Sequence, residues 1–192
     1  VSRIIAGSRG GRRIAMPPGD RTRPTTDRVR EALFSAIAAW AGTAAAPPEQ
    51  SLAHLAFCDL YAGSGAVGLE AASRGAHPVL LVERDRRTAQ LTKDNAKALG
   101  LAVDVTVSPV EQVLQRAPAR PYDVVFADPP YELETAAVSA QLAELVANRW
   151  VGPDSLIVVE RSRRTPELEW PERAAKRWTR AYGETTLYFA AL

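Results

Sequence analysis

Short apolar runs recur along most of the chain, separated by longer stretches in which apolar and charged residues mix. Leu55-Ala56-Phe57-Cys58 and Val79-Leu80-Leu81-Val82 are two such runs, and 122–127 and 155–159 read the same way. Runs without polar alternation predict strands buried on both faces, as in a parallel sheet. Between them the pattern predicts helices after Gly65, over 86–99 (stopped by Gly100), over 110–116 and over 135–148, with a further strand at 102–107. This β–α alternation predicts an α/β fold with helices on both faces of a mostly parallel sheet. The tail breaks the alternation. Residues 176–182 and 185–190 flank Gly183-Glu184, which predicts an antiparallel hairpin at the sheet edge.

The amino-terminal residues follow a third pattern. Arg3-Ile4-Ile5-Ala6-Gly7-Ser8-Arg9-Gly10-Gly11-Arg12-Arg13-Ile14 places two β-prone pieces around a Gly/Ser/Arg turn, a small β-hairpin with no apolar face of its own. Such a piece must lean on something else, and RNA is the expected support. After Pro24, a helix capped by Thr25, Thr26 or Asp27 presents Val29, Leu33, Phe34 and Ile37 on one face, with Arg28, Arg30 and Glu31 pointing elsewhere. Residues 42–50 read as a linker. The expected division is a basic hairpin arm over 1–22 and one domain over 23–192, with the arm separable from the domain's small-ligand site.

Candidate chemistry starts at Asp59-Leu60-Tyr61-Ala62-Gly63-Ser64-Gly65-Ala66-Val67-Gly68. Strand, glycine-rich turn and helix is the context in which G-x-G-x-x-G signifies nucleotide binding. Gly63 is expected to make the tight turn, Gly65 to let backbone approach a ligand, and Gly68 to let the helix pack on the strand. Glu83 ends the next apolar run, where an acceptor for ribose hydroxyls belongs. Asp59 would repel a pyrophosphate but hold an ammonium. A nucleoside carrying an amino acid satisfies both ends, and S-adenosylmethionine is such a molecule. A nicotinamide cofactor is disfavoured by Asp59. At the end of another strand stands Asp128-Pro129-Pro130-Tyr131. A carboxylate and a proline carbonyl can accept both N–H bonds of an exocyclic base amine and aim its lone pair at a methyl donor. Tyr131 offers a ring on which a displaced base can stack.

Composition narrows the setting. The net charge is +2, yet residues 1–30 hold eight arginines against two aspartates, and 161–192 hold seven basic residues against four glutamates. An acidic body with basic ends suits a polyanionic partner. The single Cys58 excludes an internal disulfide, and His54 and His77 lack ligand spacing, so no metal is expected. No apolar run reaches membrane-spanning length, and a cytoplasmic protein without membrane contact is expected.

The glycine loop, Glu83 and Asp-Pro-Pro-Tyr resemble S-adenosylmethionine-dependent methyltransferases that modify exocyclic amines. Arg3-Ile4-Ile5-Ala6-Gly7, the Arg-Arg turn and Arg23-Pro24-Thr25-Thr26-Asp27-Arg28-Val29-Arg30-Glu31-Ala32-Leu33-Phe34 narrow this over nearly the whole chain. They resemble the bacterial RsmD family, guanine-N2 methyltransferases of 16S ribosomal RNA. The resemblance implies a Rossmann-like class I methyltransferase fold with a seven-stranded sheet and an amino-terminal hairpin extension. It implies cofactor contacts at Asp59, Tyr61, Ala62, Gly63, Ser64, Gly65, Glu83, Arg84, Ser108, Pro109, Val110 and Asp128, with S-adenosylhomocysteine as product. Catalysis would fall to Asp128, Pro129, Pro130 and Tyr131. RNA contacts would come from Arg3, Arg9, Arg12, Arg13, Arg21, Arg23, Thr25, Arg28 and Arg30. The chain departs from the family at Ser108-Pro109-Val110, where Pro109 replaces an Asp or Asn that binds the adenine amine. Adenine would then be read by Ser108 or backbone, with Arg84 stacking on it. The implied partner is 16S ribosomal RNA within an assembling small subunit, met by a monomer. A DNA adenine-N6 methyltransferase and a non-catalytic RNA-binding assembly factor are the alternatives.

Overall fold

A computed structural model describes residues 2–18 and 26–192. Arg21, Arg23 and Thr25, expected at the RNA contact, lie outside the described residues. The chain begins with a two-stranded antiparallel hairpin, β1 (Ser2–Arg3) and β2 (Arg13–Ile14), in which Ser2 pairs with Ile14. Helix α1 (Asp27–Trp40) follows, capped by the Thr26 side chain, which accepts from the Val29 N–H. The Ala/Pro stretch after it contains only a short 3-10 turn at Pro48–Gln50.

The α/β alternation is as the pattern predicts: β3 (Phe57–Asp59), α2 (Ala66–Ser73), β4 (Val79–Glu83), α3 (Arg86–Leu99), β5 (Asp104–Val107), α4 (Val110–Leu114), β6 (Tyr122–Ala127), α5 (Thr135–Ala147) and β7 (Val151–Ser162). The closing hairpin is β8 (Lys176–Tyr182) and β9 (Thr185–Ala191). The seven main-sheet strands lie in the order β5-β4-β3-β6-β7-β9-β8, with β3 to β7 parallel and the last two antiparallel. Strand β7 runs well beyond the expected 155–159. Its early part pairs Val151 with Tyr122, and its late part is prolonged by the ladder to β9, ending at Ser162 opposite Thr185.

Alternate strand residues pack into separate cores on the two faces of the sheet. Phe57, Val79, Leu81, Val124 and Phe126 meet Leu33, Phe34 and Ile37 of α1 and Val67 and Ala71 of α2. Cys58, Val82, Val125 and Ile157 meet Val110 and Leu114 of α4 and Val138, Leu142 and Leu145 of α5. Burial pushes the Cys58 thiol upward, with neighbouring Asp59 adding to it, which keeps it an inert packing group. Among the described residues no helix is long and apolar enough to cross a membrane.

The hairpin does not wait for RNA to support it. Ile4 and Ile14 are buried against Leu69 of α2 and Ala96 and Leu99 of α3. Buried polar groups of α2 then clamp its main chain. Glu70 accepts from the N–H groups of Ile5 (2.6 Å) and Ala6 (3.0 Å), and is itself paired with Arg74 at 2.8 Å. Ser73 Oγ donates to Ala6 O and accepts from Arg9 N–H, while Ser73 O accepts from Ser8 N–H. The fit is close: a Cβ on Gly7 would lie 2.0 Å from Ser73 O. The expectation that the arm leans on a polyanion failed because two isoleucines supply the missing apolar face, and main-chain polar groups supply the rest.

Candidate active site at the carboxyl edge of the sheet

The chain winds outward from β3 through β4 to β5, then crosses back to lay β6 on the other side of β3. That reversal is a switch point, where open parallel sheets bind ligands beyond the strand ends. Asp59 pairs with Phe126 in register, and Leu60 N–H donates to Phe126 O at 2.9 Å. The glycine loop and Asp128-Pro129-Pro130-Tyr131 therefore leave adjacent strands at the same edge.

Asp59 is only 1% exposed, and its Oδ2 accepts from the Gly68 N–H at 3.0 Å. Burial pushes the carboxyl up to about 7, with nearby Glu83 adding a little and the Gly68 and Tyr61 N–H groups pulling down. Its Oδ1 is buried without a hydrogen-bond partner. A buried carboxylate with one oxygen unmatched suits a cationic ligand group, so this donor set fits an ammonium. Glu83 braces the loop as well: one oxygen accepts from Gly63 N–H at 3.0 Å and the other from Asp85 N–H at 2.8 Å. Each oxygen retains a lone pair for a hydroxyl.

The two loop glycines exchange their expected roles. A Cβ on Gly63 would meet nothing, whereas one on Gly65 would meet Thr92 of α3 at 2.8 Å. The open side of the turn is thus at Gly63, and Gly65 (φ +86°) faces protein. Gly68 does allow close helix–strand packing, but on Leu81 of the next strand, β4, its hypothetical Cβ being 2.7 Å away. Ala62 and Ser64 are buried. Tyr61 donates its hydroxyl to Gln141 of α5 at 2.7 Å, and burial pushes the phenol up to about 12, so its polar end is directed at α5.

At the end of β5, Ser108 N–H donates to Glu83 O at 3.1 Å and its hydroxyl reaches Pro109 O at 3.2 Å. Val110 opens α4, and its side chain is buried in the core on that face of the sheet. Arg84 is exposed beside Glu83. Beyond β6, Asp128 and Pro130 are half-buried, Pro129 is buried, and Tyr131 is 72% exposed. A large ring held so far into solvent at a strand end is available for stacking. Pro130 O accepts from Leu133 N–H, and Arg161 of β7 donates to Leu133 O at 2.9 Å, which holds the turn after the tetrapeptide.

Of the arginines expected to contact RNA, Arg12, Arg13 and Arg28 are exposed. Arg3 is exposed and paired with Asp27 at 3.1 Å. Arg9 is half-buried, its Nε donating to Leu99 O. Arg30 corrects the expectation outright. It is fully buried, donating to Arg3 O at 2.6 Å, Ser2 Oγ at 3.1 Å and Asp27 at 3.0 Å. Burial holds its guanidinium below the ordinary value, opposed by Glu70 and Asp27. It ties α1 to the hairpin instead of facing a ligand.

Sequence reasoning missed Thr92 and Asn95 on α3. Thr92 Oγ donates to Gly63 O at 2.6 Å, and Asn95 Nδ2 donates to Ser64 O at 3.0 Å. The available signal was spacing: Thr92 and Asn95, three apart, fall on the helix face that also carries Ala89, Ala96 and Leu99.

The family described as Conserved hypothetical protein 95 has a model that matches residues 2–191. The chain belongs to this family. Ribosomal RNA small subunit methyltransferase D of Haemophilus influenzae is 33% identical over 189 residues, covering 96% of this chain and 88% of that protein. This relative carries the name that the RsmD resemblance points to. A hypothetical protein of Thermus thermophilus superposes with a TM-score of 0.80 at 34% identity, over the whole of both chains. The fold also matches a Thermus thermophilus 16S rRNA N2 G1207 methyltransferase, solved with AdoMet and guanosine. That match has a TM-score of 0.66 at 21% identity, over 89% of this chain and 44% of the other.

Proposed function

We propose that this chain transfers a methyl group from S-adenosylmethionine to the exocyclic N2 amine of a guanine in 16S ribosomal RNA. One observation carries the reading: the glycine loop with its buried acid, and Asp-Pro-Pro-Tyr with its exposed ring, leave neighbouring strands at the switch point. The name of the Haemophilus influenzae relative supports ribosomal RNA as the substrate class. Asp59 would take the methionine ammonium, Glu83 the ribose hydroxyls, and the open side of Gly63 the approaching ligand. Bound there, S-adenosylmethionine supplies a methyl group on a positively charged sulfur that is already a good leaving group. The protein's remaining task is to position the amine. Asp128 and the Pro129 carbonyl accept its two N–H bonds, which localises the nitrogen lone pair; the methylated, cationic nitrogen then sheds one of those protons to solvent, with the thioether as the leaving group, and Tyr131 stacks the base. Exposed Arg3, Arg12, Arg13 and Arg28 hold phosphates, and the substrate is an assembling small subunit met by a monomer.

Tritiated S-adenosylmethionine, incubated with small-subunit particles lacking the modification and then digested to nucleosides, tests this. N2-methylguanosine is expected. N6-methyladenine formed in a parallel reaction with DNA, and none in the particles, would replace the reading with a DNA methyltransferase, and RNA binding without any transfer would leave an assembly factor. In single turnovers Asp128→Ala should slow methylation by about 10²–10³, as removal of one preorganised acceptor does, and Asp128→Asn should retain more. Tyr131→Ala should weaken base docking, while Tyr131→Phe stays near wild type.

A further inference from the structure

Asn95 stands on α3 between two regions that the sequence treats separately. Its Nδ2 donates to Ala15 O at 3.0 Å and to Ser64 O at 3.0 Å, and its Oδ1 accepts from Ala15 N–H at 2.9 Å. Both donors of the amide and its carbonyl are thus engaged, in a nearly solvent-free setting. Ala15 directly follows β2 of the hairpin; Ser64 is the middle of the glycine turn. Among the described residues no other side chain hydrogen-bonds to both. Glu70, Ser73 and Arg30 hold the hairpin without touching the turn. Thr92 holds the Gly63 carbonyl without touching the hairpin.

We propose that Asn95 is a positioning residue that couples docking of the amino-terminal hairpin to the shape of the glycine turn, so that cofactor affinity depends on the arm. The physical basis is how the turn is held: Gly65 N–H closes it onto Ala62 O at 2.8 Å and Glu83 takes the Gly63 N–H, but its two outer carbonyls depend on α3. Gly63 and Gly65 both have positive φ, and carbonyls 63 and 64 point at α3, so Thr92 and Asn95 hold the shape that a ligand must meet. When the hairpin lifts, Asn95 loses two of its three bonds and the freedom it regains loosens Ser64. Arginines on the hairpin that hold phosphate would press the arm down and tighten the donor site. By linkage, bound donor would tighten the arm by the same factor. The expected separability of residues 1–22 from cofactor binding is thereby reversed.

The inference rests on reading the turn as the methyl-donor site, and the test separates the two. Calorimetry with S-adenosylhomocysteine and amide hydrogen exchange would be run on the full chain and on Asn95→Ala, Asn95→Asp and Ser73→Ala. Ser73→Ala loosens the arm on α2 without touching the turn. In Asn95→Ala we expect affinity to fall about 5- to 30-fold, the range for losing one or two buried hydrogen bonds. Bound S-adenosylhomocysteine should slow exchange at residues 10–16 in the wild type and in Ser73→Ala, but not in Asn95→Ala. Asn95→Asp keeps the acceptor for Ala15 N–H and loses both donors, so it should match Asn95→Ala at the turn, and it replaces that variant should the alanine form not fold. In ligand-free protein, Ser73→Ala should speed exchange at residues 63–65 only when Asn95 is present. Wild-type affinity in Asn95→Ala, or arm protection that persists in it, overturns the proposal. A wild type that binds no S-adenosylhomocysteine defeats the donor-site reading instead, and the ligand-free exchange then decides the coupling.

Discussion

Two hairpins are attached to the same β–α body by different forces. The carboxyl-terminal one, β8–β9, enters the sheet through a ladder to β7 that runs from Leu156–Ala191 to Ser162–Thr185, and buries Leu187 and Phe189 in the core, the latter stacked on Trp178 at 5.0 Å. The amino-terminal one pairs only two residues per strand and buries two isoleucines. Its remaining attachment is main chain held by buried side chains: Glu70, Ser73, Asn95 and Arg30. A ladder with an apolar face tolerates many sequences, because any apolar residue of suitable size serves. A main-chain clamp depends on individual polar side chains, and each lost partner leaves a buried group unmatched.

Removing one clamp should therefore cost more than an ordinary core truncation. Glu70→Ala strands the Arg74 guanidinium and two N–H groups, and should lower stability by about 4 kcal/mol in urea unfolding. A loss under about 1 kcal/mol would erase the contrast between the hairpins. Leu187→Ala in β9 should cost about 3 kcal/mol through its cavity, while the arm's exchange pattern relative to the rest of the chain stays unchanged. Preferential loosening of the arm in that variant would show the two attachments to be one cooperative unit.

A buried carboxyl beneath the glycine turn makes the stability of this part of the body depend on pH. The folded Asp59 carboxyl is raised to about 7, above its unfolded value. Its stabilising contribution is complete below the unfolded value near pH 4 and is lost as pH rises to about 7. Asp59→Asn should flatten that slope and gain about 4 kcal/mol over wild type at pH 8, with little difference at pH 4. Ligand-free thermal melts at both values check it. The smallest effect is expected on the outer side of the arm. Arg12→Ala with Arg13→Ala should change stability by less than about 0.5 kcal/mol. The slope of log RNA affinity against log salt should become shallower by about 0.7–0.9 per lost phosphate contact. An unchanged salt slope would remove these two arginines from the RNA surface.

Periodic features were legible in the sequence for a physical reason. A strand buried on both faces is apolar along most of its length, and a helix ends where a glycine takes a left-handed turn, so 86–99 and 122–127 were read to the residue. The same holds for the two strand-end motifs: a nucleotide turn requires small residues at fixed spacing, and an exocyclic amine requires acceptors without competing donors. Both stand at carboxyl ends of strands in a parallel sheet and so share one edge, but that β3 and β6 are neighbours there is decided by the strand order of the folded sheet. What tertiary structure alone decided is where polar side chains found their partners. Arg30 lies two residues from exposed Arg28, yet its guanidinium is buried against Arg3 and Ser2. Gly65 faces Thr92, and Asn95 bridges residues 80 and 31 positions away. A hydrogen bond to a distant main-chain group needs one residue of the right kind at one point in space. Such a contact imposes no period on the chain, and only the folded arrangement reveals it.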